Sequence, residues 1–157
     1  MANQTMNALD TLQGSMAECY VTIEGQRYNF MQIINMGFEM DINKTTVPIL
    51  GRSGRGNRPA GWTGTFSGTA HYNQSVLRRM ALEYKNTGRL PYFDAQITNA
   101  DPSSAAGRQT AIFRQCQTNG GVLAKLDADA DYLDEDIEGT FEDFDFPELF
   151  DLLPGMV

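Results

Sequence analysis

From Leu126 to the C-terminus the chain carries twelve Asp and Glu side chains and neither Lys nor Arg. Four of its nine phenylalanines, Phe141, Phe144, Phe146 and Phe150, lie among those acids. Charges crowded this closely cannot leave water without partners, and aromatic rings gain most by leaving it. A segment of this kind must place acids on one side and rings on another, which the two-residue period of a β-strand does directly. In "GGVLAKLDADADY" the alternation predicts a strand with Val122, Ala124, Leu126, Ala128 and Ala130 on one face. Lys125, Asp127, Asp129 and Asp131 then occupy the other. Aspartates two apart on a strand are roughly 6.5–7 Å from each other, and in water each pair repels by only about 0.6 kcal/mol. Such a face is stable when wet, as on a sheet lining a water-filled surface or channel. "EDIEGTFEDF" is its expected antiparallel partner.

The charge is divided along the chain. Residues 1–125 hold 12 basic and 8 acidic side chains, a balance of +4, and the remainder holds 12 acids and no base, giving −8 in total. A chain with two signs can pair head to tail with copies of itself, although most charge runs are simply solvated faces. At 157 residues a single domain with a real core is expected, and 41% hydrophobic residues exclude global disorder. Cys19 and Cys116 are too few for a disulfide framework and read as buried free thiols. No apolar run approaches the roughly 18 residues of a membrane helix, and no segment reads as a signal peptide, so a cytosolic chain is expected.

Residues 1–16 are polar with scattered Met and Leu and read as an N-terminal arm that orders on contact, leaving 17–157 as the folded domain. "CYVTIEGQRYNF" signals a hairpin turning at Glu24-Gly25-Gln26, whose second strand is expected to continue through "MQIINMGFEMDIN". The segment 44–62 carries Lys44, Ile49, Arg52, Arg55, Arg58 and Trp62 among glycines and prolines, and reads as a long contact loop. "TGTFSGTAHY" alternates again, with Thr63, Thr65, Ser67 and Thr69 opposite Phe66, Ala70 and Tyr72. "NQSVLRRMALEYKNTG" is the clearest helix, capped by Asn73 or Ser75 and ended by Gly88. Two further strands flank "DPSSAAGRQ", and "PELFDLL" suggests a short helical turn over a sheet edge. Strands, one helix and strands again predict a mainly β fold, an antiparallel sandwich or barrel with one flanking helix.

No chemistry emerges from the motifs. Asp127, Asp129, Asp131 and Glu138 fit an EF-hand count, but Tyr132 stands where Gly is needed and Asp134 where an apolar residue belongs. Gly51 and Gly56 have P-loop spacing, but Asn57-Arg58 replace the required Lys and Ser/Thr. His71 is the single histidine, and neither cysteine has a nucleophile's context. No enzyme, cofactor or metal site is expected.

The run "LDEDIEGTFEDFDFPE", with "GTFSGTAHY" and "GRLPYFDAQITNAD" upstream, resembles phage tail tube proteins of prophage-type contractile tails, from about Tyr20 to Glu148. The resemblance implies a structural subunit related to bacteriocin and type VI secretion tube proteins. Six copies would close their strands into one inner β-barrel, and the rings would stack into a tube that DNA traverses without specific binding. It implies sheath, tape measure and baseplate partners, no membrane insertion, and a virion tail assembled in the bacterial cytoplasm. On this reading Asp127, Asp129, Asp131, Glu138 and Glu142 are expected to face the lumen. Lys44, Ile49, Arg52, Arg55, Arg58 and Trp62 belong to a ring-stacking loop. Phe141, Phe144, Phe146, Tyr92 and Phe93 form a subunit seam or core. The alternative from the residues alone is a monomeric acidic module binding a cation or a basic protein.

Overall fold

In the computed structural model, which describes residues 4–157, the strands in chain order are β1 (Ala17–Ile23), β2 (Gln26–Asn29), β3 (Ile33–Val47), β4 (Gly56–His71), β5 (Phe93–Ala100), β6 (Arg108–Gly121), β7 (Asp134–Phe141) and β8 (Asp143–Glu148). One α-helix, α1 (Val76–Thr87), lies between β4 and β5. Every pairing is antiparallel. The fold is mainly β with a single helix, as the alternating patterns predict. Contacts divide the chain into two units: Met1–Met31, Pro91–Cys116 and Asp143–Val157 form the first, Gln32–Leu90 and Gln117–Glu142 the second.

In the first unit the strands run in the order β2-β1-β5-β6-β8. Glu24 and Gly25, with φ of 49° and 81°, make the tight β1–β2 turn, where two consecutive positive φ values match the twist of the paired strands. Val21, Ala95, Phe113 and Phe144 face each other in one cross-strand row. Val21, Phe93, Ala95, Phe113 and Cys116 are buried there. Burial pushes the Cys116 thiol up to about 12 and that of half-buried Cys19 up to about 11, so both are protonated and unreactive at neutral pH.

The segment 4–16 is tied to this unit's 101–107 loop. Asn7 caps a 3-10 turn at Ala8–Asp10. Asp10 Oδ1 accepts from Ala105 N at 3.0 Å, and Ser104 Oγ donates to the Asp10 carbonyl at 2.8 Å. Gln13 N and Ser103 N donate to the two oxygens of Asp101 at 2.9 Å each. Residues 1–3 of the expected arm lie outside the described residues.

In the second unit β7, β4 and β3 follow the last residues of β6. The apolar face aligns Phe38 with Phe66 and Gly139, and Met40 with Gly64 and Phe141. Phe38 and Phe66 stack at 5.1 Å between centroids. The two glycines are holes for these rings: a Cβ on Gly64 would come within 2.6 Å of Phe141, and one on Gly139 would meet Phe66 and the Gln117 carbonyl. α1 begins at Ser75, whose side chain makes no capping bond, and ends at a left-handed Gly88. Its Arg78 forms a salt bridge with buried Glu135, lies 4.4 Å from the Tyr72 ring centroid, and donates to the Val122 carbonyl at 3.3 Å.

Four expectations are corrected. β2 stops at Asn29 instead of continuing into β3, because Phe30 N is held by the Cys19 carbonyl in the first unit while the Gln32 carbonyl accepts from His71 N in the second. Most of the predicted 44–62 loop is paired strand, from Lys44 opposite Pro59 to Val47 opposite Gly56, leaving only residues 48–55 as the connection. Residues 122–133 form no strand, so β7 pairs with β4 and β6 instead. "PELFDLL" forms no helix: Glu148 pairs with Thr110 in β8, and Asp151 N donates to the Ala106 carbonyl at 2.7 Å.

Candidate assembly surfaces

The face of the second unit opposite the phenylalanines is wet. Across β3, β4 and β7 its rows are Asn35–Thr69–Asp136, Gly37–Ser67–Glu138 and Glu39–Thr65–Thr140, followed by Asp41–Thr63. All are exposed except the half-buried Thr69, whose hydroxyl donates to Asp136 Oδ1 at 3.2 Å. Four carboxylates and a ladder of hydroxyls stand on this face without a Lys or Arg. The alternation of β7 produces it: Glu135, Ile137, Gly139 and Phe141 are buried, while Asp136, Glu138 and Thr140 are exposed.

Beyond the Gly64–Phe141 pair β7 ends, and β3 and β4 continue as a two-stranded ribbon. Apart from the half-buried Gly56, every residue from Glu39 to Thr63 is exposed, including Ile42, Val47, Ile49, Leu50 and Trp62. The ribbon carries Lys44, Arg52, Arg55 and Arg58 and no acid between Ile42 and Thr63. Among the described residues none of these four cations forms a salt bridge.

The third surface is the segment 122–133 between β6 and β7. Asp127, Asp129 and Asp131 are exposed on it, and Asp127 Oδ1 accepts from Asp129 N at 3.1 Å. This local Asx turn explains why the alternating sequence is not a strand: the aspartate side chain satisfies a backbone donor that a sheet partner would otherwise take.

The structure therefore separates the five predicted lumen acids. Glu138 stands on the wet face, Asp127, Asp129 and Asp131 on the β6–β7 segment, and Glu142 in the exposed link between β7 and β8. Asp136, Glu39 and Asp41 share the wet face with Glu138 and were missed, though the alternation over 134–141 signals the first of them. Lys44, Ile49, Arg52, Arg55, Arg58 and Trp62 all fall on the ribbon, with Trp62 6.0 Å from the Phe141 ring centroid. Phe141 and Phe93 are core residues of their respective units. Phe144 is half-buried and packs edge-on against exposed Phe146 at 5.9 Å, and Tyr92 is exposed. Among the described residues no group of His, Cys, Asp and Glu is arranged to hold a metal ion, and no helix is long and apolar enough to cross a membrane.

A family model described as "Phage tail tube protein" matches residues 4–148. The phage-like element PBSX protein XkdM of Bacillus subtilis (strain 168) is 29% identical over 143 residues, covering 91% of this chain and 95% of that protein. The uncharacterized protein YqbM of the same strain matches with the same identity and coverage. Among solved structures, a chain from the anti-feeding prophage baseplate superposes with a TM-score of 0.65 at 11% identity over the whole of both chains. A chain from the sheath/tube terminator of an extracellular contractile injection system, in its extended state, superposes at 0.63 with 9% identity, covering 83% of this chain and 93% of that one. At such identities the likeness is one of fold.

Proposed function

The chain belongs to the phage tail tube protein family, and from that premise we propose that six copies form a ring and that rings stack into the tube of a contractile tail. It is a structural component of a phage tail or tail-like particle, not an enzyme. The observation that carries the finer reading is the wet face of β3, β4 and β7. A small barrel fills its own interior with side chains, so a bore that admits duplex DNA needs strands from several chains. The face turned inward must then be polar, and the opposite face apolar, as these three strands are.

On this reading Asp136, Glu138, Glu39 and Asp41 line the lumen. Proteins gain affinity for DNA when Lys and Arg displace its counterions. A wall of carboxylates and hydroxyls offers phosphates no such exchange, so the genome passes without sticking. The ribbon, with its exposed apolar side chains and unpaired cations, makes the ring-to-ring contact. Sheath and baseplate proteins meet the tube from outside and at its end, the tape measure protein occupies the bore, and assembly takes place in the bacterial cytoplasm. The solved neighbours come from assemblies whose names include sheath, tube terminator and baseplate, in keeping with those partners.

Electron microscopy of the purified chain tests the reading. Stacked rings of constant width are expected; a monomer whose only assembly requires calcium or a basic protein would overturn it. Replacing Asp136 and Glu138 by Lys should leave rings intact and slow genome ejection, and unimpeded ejection would remove the lumen assignment.

A further inference from the structure

We propose that the basic tip of the β3–β4 ribbon seats on the β6–β7 segment of a second copy of this chain in the adjoining ring. The inference rests on the tube reading and supplies what that reading lacks, the surface that receives the ribbon. Three observations within the second unit converge on it.

The first is charge. Arg52, Arg55 and Arg58 stand on the ribbon with no acid between Ile42 and Thr63 and, among the described residues, no salt bridge of their own. Asp127, Asp129 and Asp131 stand exposed on the β6–β7 segment, and among the described residues no cation is paired to them. The second is apolar surface. Leu50 at the ribbon tip is 103% exposed, and Leu126 beside the aspartates is 96% exposed. Two such patches bury each other at little cost, whereas charge alone in water contributes mostly orientation.

The third is position. The ribbon is the Gly56 end of β4, and the β6–β7 segment is fastened to the other end, where Tyr72 N donates to the Leu133 carbonyl at 3.0 Å and Lys125 N to the Tyr72 hydroxyl at 3.3 Å. His71 also packs edge-on against Tyr132 at 5.3 Å. Along the sixteen residues of β4, at ~3.3 Å per residue, about 50 Å of strand separates the two. Complementary surfaces at opposite ends of one element cannot satisfy each other within a copy. They pair head to tail between copies and, where no rotation closes the series, repeat without limit. The receiving segment is also held in place by its own chain, through Arg78 on the Val122 carbonyl and Lys125 Nζ on Asp134, which lowers the ordering cost of docking.

Two charge-reversed chains test this: Arg52, Arg55 and Arg58 all →Glu in one, Asp127, Asp129 and Asp131 all →Lys in the other. Every replaced side chain is exposed, and circular dichroism checks that each variant folds. Each variant alone should give rings but no tubes by electron microscopy. Preformed rings of the two, mixed in equal amounts, should stack into tubes again, because each ribbon then meets a segment of opposite sign. Tubes of wild-type length from either variant alone would overturn the proposal, as would mixed rings that stay unstacked. A wild-type chain that forms no rings at all would instead remove the tube reading beneath it.

Discussion

β4 lives in two environments. From Gly64 to His71 it has a paired strand on each side, and alternate residues Gly64, Phe66 and Ala70 are buried. From Gly56 to Thr63 it has only β3, and nothing on it is buried beyond the half-exposed Gly56. Across that boundary the alternation of 64–71 gives way to glycine and proline, and the third strand is lost. A lone two-stranded ribbon is marginally stable in water, and beyond Trp62, which meets Phe141, the apolar side chains it displays bring little to the isolated fold. Their use is to be sought in another molecule.

The sharpest way to break this contrast is to damage each half equally. Phe66→Ala, which empties the stack between Phe38 and Gly139, should cost about 3–5 kcal/mol in urea unfolding. Arg78→Ala strands the buried Glu135 carboxylate and should cost about 3 kcal/mol. It should also loosen residues 122–125, seen as faster amide exchange there, since Arg78 holds the Val122 carbonyl. Gly64→Ala pushes a methyl against the Phe141 ring and should cost about 1–3 kcal/mol. Leu50→Asp on the ribbon should leave stability within about 0.5 kcal/mol of wild type and yet abolish tubes. A loss of stability comparable to that of Phe66→Ala would show the ribbon to be part of the fold's own core.

The same contrast explains what could be read beforehand. The faces of β4 over 64–71, the helix ending at Gly88 and the Glu24-Gly25 turn are local patterns, and each appears where its residues predict. Partner choice is not local. The alternation of 122–131 and that of 134–141 look alike, but Asp127 closes an Asx turn on Asp129 while 134–141 finds β4 waiting. That exchange moved Asp136 onto the wet face and took three predicted acids off it. The ribbon was hidden for the opposite reason. Gly51, Gly54, Gly56, Pro48 and Pro59 argue for a loop, and the β-branched Thr45, Thr46 and Val47 that carry its pairing are few beside them.

A smaller effect separates the arm from the ribbon, two exposed segments whose attachments differ. Among the described residues the ribbon's cations form no salt bridge, whereas residues 10–13 are held by Asp101 and its loop. The Gln13 and then the Ser103 amide, donating to the Asp101 carboxylate, hold it below its ordinary value of about 3.9. A depressed folded-state value stabilises the attachment above that ordinary value, and the contribution is lost as pH falls through the depressed one. Exchange protection at the Gln13 amide, compared with the intrinsic rate at each pH, should therefore be flat from pH 7 to about 5 and fall only in stronger acid. Asp101→Asn removes the charge at every pH and should lower that protection already at pH 7, with the β-sheet amides unchanged. Protection that ignores both acid and the substitution would mean that Asp10, Ser104 and Ala105 hold the arm without Asp101.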